Sequence, residues 1–336
     1  MNRIVLIVTL LAVAAASRAA EGVNPNDQAR FIAGLPLAEG STLAGLSRDQ
    51  AWQRHSADLD QMWSRLEGRS LAKARAWSSS FVRASSSSSP CYYFYSGPDI
   101  LYAKTIFPFA SNYVLCGTEP VGGVPDIAAW DSATAAAALS NMRRSINNLT
   151  RFAYFITKEM RADLNNNQLN GVTPILYLFL ARLGCEITRV DFVSLNSNGS
   201  LGSGGVPGVR ISFRSAAGTQ TLYYFKADLS NGGSGSAVMS FCRRMGSNGL
   251  GLLKAASYLM HGDGFSKSRD FLLTNCRVIV QDDSGVPLRY FGSDRWQLRF
   301  FGRYTNTTGG IFAKYYQSDL AAAYAQVQPA PLDFQI

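Results

Sequence analysis

The sequence predicts an α+β protein: an N-terminal helical segment, then a mixed or antiparallel sheet with helices packed on it. Three observations predict it. Apolar residues recur at spacings of three and four before residue 84 and again over 131–164. The second half instead holds short β-branched and aromatic runs broken by Gly, Ser and Asn. Few helical stretches separate those runs, so helical crossovers cannot link all of them as parallel neighbours. An apolar content of 47% and a charged content of 16% belong to a chain that folds around a core.

The chain opens on Met1-Asn2-Arg3, and residues 4–16 are apolar except for Thr9. Small residues follow at Ser17 and Ala19, the positions a signal peptidase reads. Residues 1–19 are therefore expected to be a signal peptide, and the mature product periplasmic or secreted. The apolar run is about 13 residues long, short of the roughly 20 that a membrane-spanning helix needs. No later run is longer, so no transmembrane segment is expected after signal removal. No Cys precedes Cys91, which leaves no N-terminal lipid attachment site.

Residues 20–84 read as a helical segment. Its clearest helix starts at Ser47-Arg48-Asp49-Gln50, a capping box in which the Ser hydroxyl and Gln amide satisfy unpaired N–H groups. Trp52, His55, Leu59, Met62, Trp63 and Leu66 form its apolar stripe. Gly68 is placed to end it in a left-handed turn. Residues 85–90, five serines and a proline, read as a flexible connector. The main domain is then 91–336. A strand is expected over 92–95, and a helix capped by Ser96 runs to about 107, with Pro98 and Asp99 in its first turn. A second strand covers 112–116. The long helix 131–164 precedes a buried helix over 175–183. Strands are expected over 188–195, 209–213 and 221–227, and a helix over 236–245. Residues 250–260 fit helix or strand equally. A helix over 265–273 leads to a hairpin, 277–280 with 286–291, turning at Asp282-Asp283-Ser284-Gly285. A strand over 296–301 and a helix over 315–325 finish the chain.

The chemistry-bearing residues are sparse. There are two histidines. His55 lies on the apolar stripe and reads as a packed residue. His261, in Met260-His261-Gly262-Asp263-Gly264, is the candidate general base. A hydrolase would use His261 with Asp263, Asp282 or Asp283 orienting it and Ser96 as nucleophile. No G-x-S-x-G occurs, however, and Asp99 beside Ser96 would repel an oxyanion. Glu119, just past a strand, is a sensible place for an acid. Asp163-Leu164-Asn165-Asn166-Asn167 begins like a calcium loop but has Gln168 where Gly is required. Cys91, Cys116, Cys185, Cys242 and Cys276 contain no C-x-x-C, so zinc is not expected, while one or two disulfides are possible after export. No metal or cofactor is expected. The net charge of +9 is dispersed rather than clustered, against a nucleic-acid partner.

Three stretches carry a resemblance: Tyr95-Ser96-Gly97-Pro98-Asp99-Ile100-Leu101-Tyr102-Ala103, Gln281-Asp282-Asp283-Ser284-Gly285-Val286-Pro287 with Tyr290-Phe291, and Ala29-Arg30-Phe31-Ile32-Ala33-Gly34-Leu35-Pro36. Together they resemble a group of exported bacterial proteins of unassigned function. The resemblance implies a bacterial envelope or secreted location and assigns no catalytic residue. The expected function is therefore non-catalytic binding of a ligand or partner, or a structural role in the envelope. The alternatives are the His261 hydrolase and an interaction module that presents Trp52, Trp63 and Leu66 to a partner.

Overall fold

The computed structural model describes residues 23–82, 88–152, 168–304 and 316–334. The expected signal peptide, half of the serine connector, the end of the long helix and the calcium-like run lie outside the described residues. Three helices come first: α1 (Pro25–Ile32), α2 (Gln50–Leu66) and α3 (Ala72–Phe81). Asn24 caps α1 by accepting from the Asn26 N–H at 2.8 Å. The expected capping box does not form. Ser47 belongs to a 3₁₀ turn, where its hydroxyl donates to the Ala44 carbonyl, and the residue before α2 is Asp49. Gly68 does not end the helix either. Residues Glu67–Leu71 widen into a π turn that runs straight into α3.

Strand β1 (Cys91–Tyr93) is followed by α4 (Ile100–Ile106), β2 (Asn112–Gly117), α5 (Ser132–Phe152) and α6 (Thr173–Arg182). Then come β3 (Glu186–Leu195), β4 (Leu201–Gly202), β5 (Val206–Ser215) and β6 (Gly218–Lys226). The chain continues through α7 (Gly235–Arg244), β7 (Gly249–Leu253), α8 (Ser266–Asn275), β8 (Cys276–Gln281) and α9 (Ser318–Gln326). All eight strands form one mixed sheet in the order β4-β3-β5-β6-β2-β1-β7-β8. Helices pack around it, as the sequence predicts. β3, β4, β5 and β6 pair antiparallel, while β6, β2, β1, β7 and β8 are parallel neighbours.

The parallel strands lie in the order third, second, first, fourth, fifth along the chain, a doubly wound arrangement. Tyr93, Leu115, Leu222 and Leu252 face a core built with α1 to α6. Tyr92, Phe94, Val114 and Phe225 face the other core, closed by Val238 and Phe241 of α7 and Phe271 and Leu272 of α8. Two cores explain the nearly all-apolar central strands, which have no solvent face.

Three further expectations are corrected. Asp99, not Ser96, caps α4, because its carboxylate accepts from the Tyr102 N–H. No hairpin follows residue 281: β8 pairs with β7, and Leu288–Tyr290 forms a 3₁₀ turn. Residues 296–301 are irregular, with only a bridge from Phe301 to Ala330. The five cysteines are buried free thiols, with no disulfide among them. Cys91 lies in the first core and Cys276 in the second, so the sheet itself separates them. Burial pushes all five thiols up.

The stripe on α2 is not free for a partner. Leu59 and Leu66 are buried in the first core, and Trp52, Met62 and Trp63 pack against it. Side chains also meet four successive carbonyls at the end of α1, where helical partners run out. Trp52 Nε1 donates to the Phe31 carbonyl (3.0 Å), and His55 Nε2 meets that of Ile32 (2.8 Å). Arg182 Nε donates to the Ala33 carbonyl and Ser56 Oγ to that of Gly34, both at 2.7 Å. Gly34 turns out of the helix at φ +62°, and a Cβ there would stand 2.8 Å from Ser56 Cα.

His55 is fully buried, with Arg143 Nη1 3.1 Å from its Nδ1. A guanidinium only donates, so Nδ1 accepts and Nε2 carries the proton. Burial, with help from Arg143 and Arg182 and against Asp58, lowers its pKa from 6.5 to about 4. The unfolded chain therefore binds the proton first. Stability is full above pH 6.5 and falls as pH drops toward 4, by on the order of 3 kcal/mol. Denaturant unfolding across that window should show the decline, and His55→Gln should flatten it.

Candidate functional site

The carboxyl ends of β2, β1, β7 and β8 stand side by side. The crossover from β1 uses α4 on one face, whereas α7 and α8 cross on the other. Adjacent crossovers that leave on opposite faces part at the strand ends, and in doubly wound sheets ligands bind in that crevice. Here the switch lies between β1 and β7.

Both loops at this point hold strained backbone. Tyr95 after β1 and Ala255 after β7 have φ values of 62° and 52°, a region that costs a residue with a Cβ on the order of 1–3 kcal/mol. Tyr95 reaches across to α8, its hydroxyl 2.6 Å from Ser268 Oγ and its ring edge-on to Phe265. The Ala255 N–H donates to Asp282 Oδ2 at 3.1 Å.

Between these loops lies a buried ion pair. Lys254 Nζ is 3.3 Å from Asp99 Oδ2, and the two side chains are only 2% and 3% exposed. Asp99 also accepts from the Tyr93 hydroxyl (2.9 Å) and, as the cap of α4, from the Tyr102 N–H (3.1 Å). Lys254 Nζ sits 3.6 Å from the centre of the Tyr102 ring. The Tyr102 hydroxyl meets Ser70 Oγ of the π turn at 3.1 Å. Burial pushes the Asp99 carboxyl up and the Lys254 ammonium down, while their mutual attraction opposes both shifts. Burial likewise raises Asp282.

Glu119, past the end of β2, is buried beside Gly97 and Gly117. The Tyr224 hydroxyl donates to its carbonyl (3.0 Å), with Glu119 Oε2 at 3.2 Å. A Cβ at Gly117 would collide with Glu119 Oε2, so a side chain there would displace this acid.

The structure places the sequence-predicted residues at this same rim. His261 Nε2 is 2.9 Å from the Gly285 carbonyl, and burial lowers its pKa. Asp282 Oδ1 accepts from the Ser284 N–H at 2.9 Å and hydroxyl at 2.5 Å. His261 thus reaches from the β7 loop to the β8 loop, and Asp282 reaches back to Ala255. Ser96 is buried, its hydroxyl 2.9 Å from the Gly97 carbonyl and 3.3 Å from that of Cys116. Asp263 is exposed in the β7 loop, its carbonyl accepting from Asn231 Nδ2. Asp283 is exposed beyond β8.

Sequence reasoning missed Lys254 and Tyr95. The available signal for Lys254 was a lone cation directly after the apolar run Gly249–Leu253. Among the described residues, no three His, Cys, Asp or Glu side chains converge as a metal would need. No helix among them is long and apolar enough to cross a membrane.

The fold and rim define a doubly wound mixed-sheet protein with a charged, strained switch point. No known protein family, curated protein or solved structure matches the chain.

Removing one partner of a buried pair strands the other charge. Lys254→Ala is expected to cost about 3–5 kcal/mol in denaturant unfolding. Adding Asp99→Asn, which keeps the cap on Tyr102, should recover part of that loss. Equal losses in the single and double variants would show that the pair is not coupled.

Proposed function

We propose that the chain is an exported bacterial protein that binds a small hydroxyl-bearing ligand without transforming it. The ligand sits in the switch-point crevice at the ends of β1, β2 and β7. The observation that carries this reading is the pair of left-handed residues, Tyr95 and Ala255, in the loops that follow β1 and β7 on either side of the switch point. Strain of this kind persists where surrounding structure enforces it, and it clusters at ligand clamps.

Glu119 supplies the acceptor. An acid at the end of the second parallel strand, close to a glycine of the first loop, is placed to accept from sugar-type hydroxyls. The engagement of His261 and Ser96 with backbone carbonyls supports binding over hydrolysis. An envelope or secreted location rests on the expected signal peptide and on the resemblance to exported bacterial proteins.

Titration calorimetry of the mature chain against sugars and nucleosides tests the reading. A hydrogen bond to a charged group is worth about 1.5–3 kcal/mol, so Glu119→Gln should weaken binding about 10- to 100-fold. Ser96→Ala should leave it unchanged. Binding that ignores Glu119→Gln, or turnover that vanishes in Ser96→Ala, would overturn the proposal.

A further inference from the structure

Among the described residues, seven large hydrophobic side chains are exposed, and three of them, Phe81, Tyr316 and Leu332, each between 37% and 45% exposed, meet residues 301–304. The contacts join the end of α3 to the C-terminal segment. Phe81 packs on Phe301 with centroids 4.8 Å apart, and Leu332 lies against Gly302. Tyr316 stacks on Tyr304 at 5.6 Å, and Tyr304 adjoins Tyr324. Beneath this rim Trp77 meets Phe301 edge-on at 5.1 Å and Phe334 at 6.2 Å. The exposed rings are therefore the outer edge of an ordered aromatic cluster. Scattered apolar residues need no explanation, but a contiguous patch does.

The same segment is basic. Residues 295–304 hold Arg295, Arg299 and Arg303 and no acid. All three arginines are exposed. Arg295 donates to the Thr274 carbonyl at 2.6 Å, while no carboxylate among the described residues pairs with Arg299 or Arg303. Of the nearby acids, Asp333 pairs with Lys73 at 3.0 Å and Asp319 accepts from the Arg289 N–H at 3.1 Å, while Asp283 and Asp294 are exposed at the border of the face. Beyond residues 1–19, which hold Arg3 and Arg18 and no acid, the net charge is +7, which adds a long-range attraction for anionic surfaces.

We propose that this face docks on an anionic phospholipid bilayer, with Phe81 and Leu332 entering the headgroup boundary and Arg299 and Arg303 pairing with lipid phosphates. Aromatic and aliphatic side chains interleaved with unpaired arginines match that boundary, where one layer is apolar and the next is negative. The face lies on α3 and the C-terminal segment, so this inference is independent of the crevice and its ligand.

Co-sedimentation of the mature chain with phosphatidylglycerol-containing vesicles and with pure phosphatidylcholine vesicles tests it. The chain should partition at least about tenfold better onto the anionic vesicles, and raised salt should weaken that binding. Each arginine near a charged leaflet is worth about 1 kcal/mol, so Arg299→Gln with Arg303→Gln should lower partitioning about 30-fold. Phe81→Ser should lower it on anionic vesicles without changing the salt dependence. All these positions are exposed, and circular dichroism of each variant controls for the fold. Equal binding to both vesicles, or variants that bind like the parent, would overturn the proposal. So would vesicle binding too weak to detect alongside a concentration-dependent dimer abolished by Phe81→Ser, or tight capture of a single-stranded oligonucleotide.

Discussion

The ion pair between Asp99 and Lys254 is the constraint on which the centre of this molecule depends. Two opposite charges are held 3.3 Å apart where almost no water reaches them. Neither charge can be left alone there, so the ends of β1 and β7 and the start of α4 must come to one place. Asp99 closes α4, Lys254 covers the Tyr102 ring, and Tyr102 in turn reaches Ser70 in the π turn. A single pair thereby ties the sheet to the N-terminal helices. A pair of apolar residues could hold the same elements together, but it would not demand one register.

The second tie is local and made of backbone. The end of α1 presents four consecutive carbonyls, each met by a side chain from α2 or α6. This gives a physical meaning to the run Phe31-Ile32-Ala33-Gly34. Its apolar residues enter the core, its carbonyls are acceptors, and Gly34 lets Ser56 approach. His55 is a neutral donor in that clasp, which is why burial without a carboxylate partner is tolerable. The helices before the serine run therefore share a core with the sheet.

The loops beyond the parallel strands are knitted by reciprocal hydrogen bonds, His261 to the β8 loop and Asp282 to the β7 loop. These were the residues with the strongest catalytic look in the sequence. Each bonds main-chain groups of the neighbouring loop, which fits a rim that holds a strained shape. Strain at Tyr95 and Ala255 beside buried charge is costly, and the proposed ligand crevice would give that cost a purpose.

The sequence by itself determined which segments are helix and which are strand wherever the pattern was long. The stripe of α2, the apolar α6 and the strand runs of β5 and β6 were all legible, because such patterns follow from local backbone geometry. The burial of His55 and the acid at Glu119 could also be read. Only the tertiary structure decided strand order, the parallel pairing of five strands, and the fates of residues 286–301. Pairing joins β1 to β7 across nearly half the chain, and no local pattern encodes a partner so distant. The same holds for Asp99 and Lys254. Each looks ordinary in its own segment, one as a helix-start acid and the other as a lone cation, and their meaning exists only where the fold removes water from both.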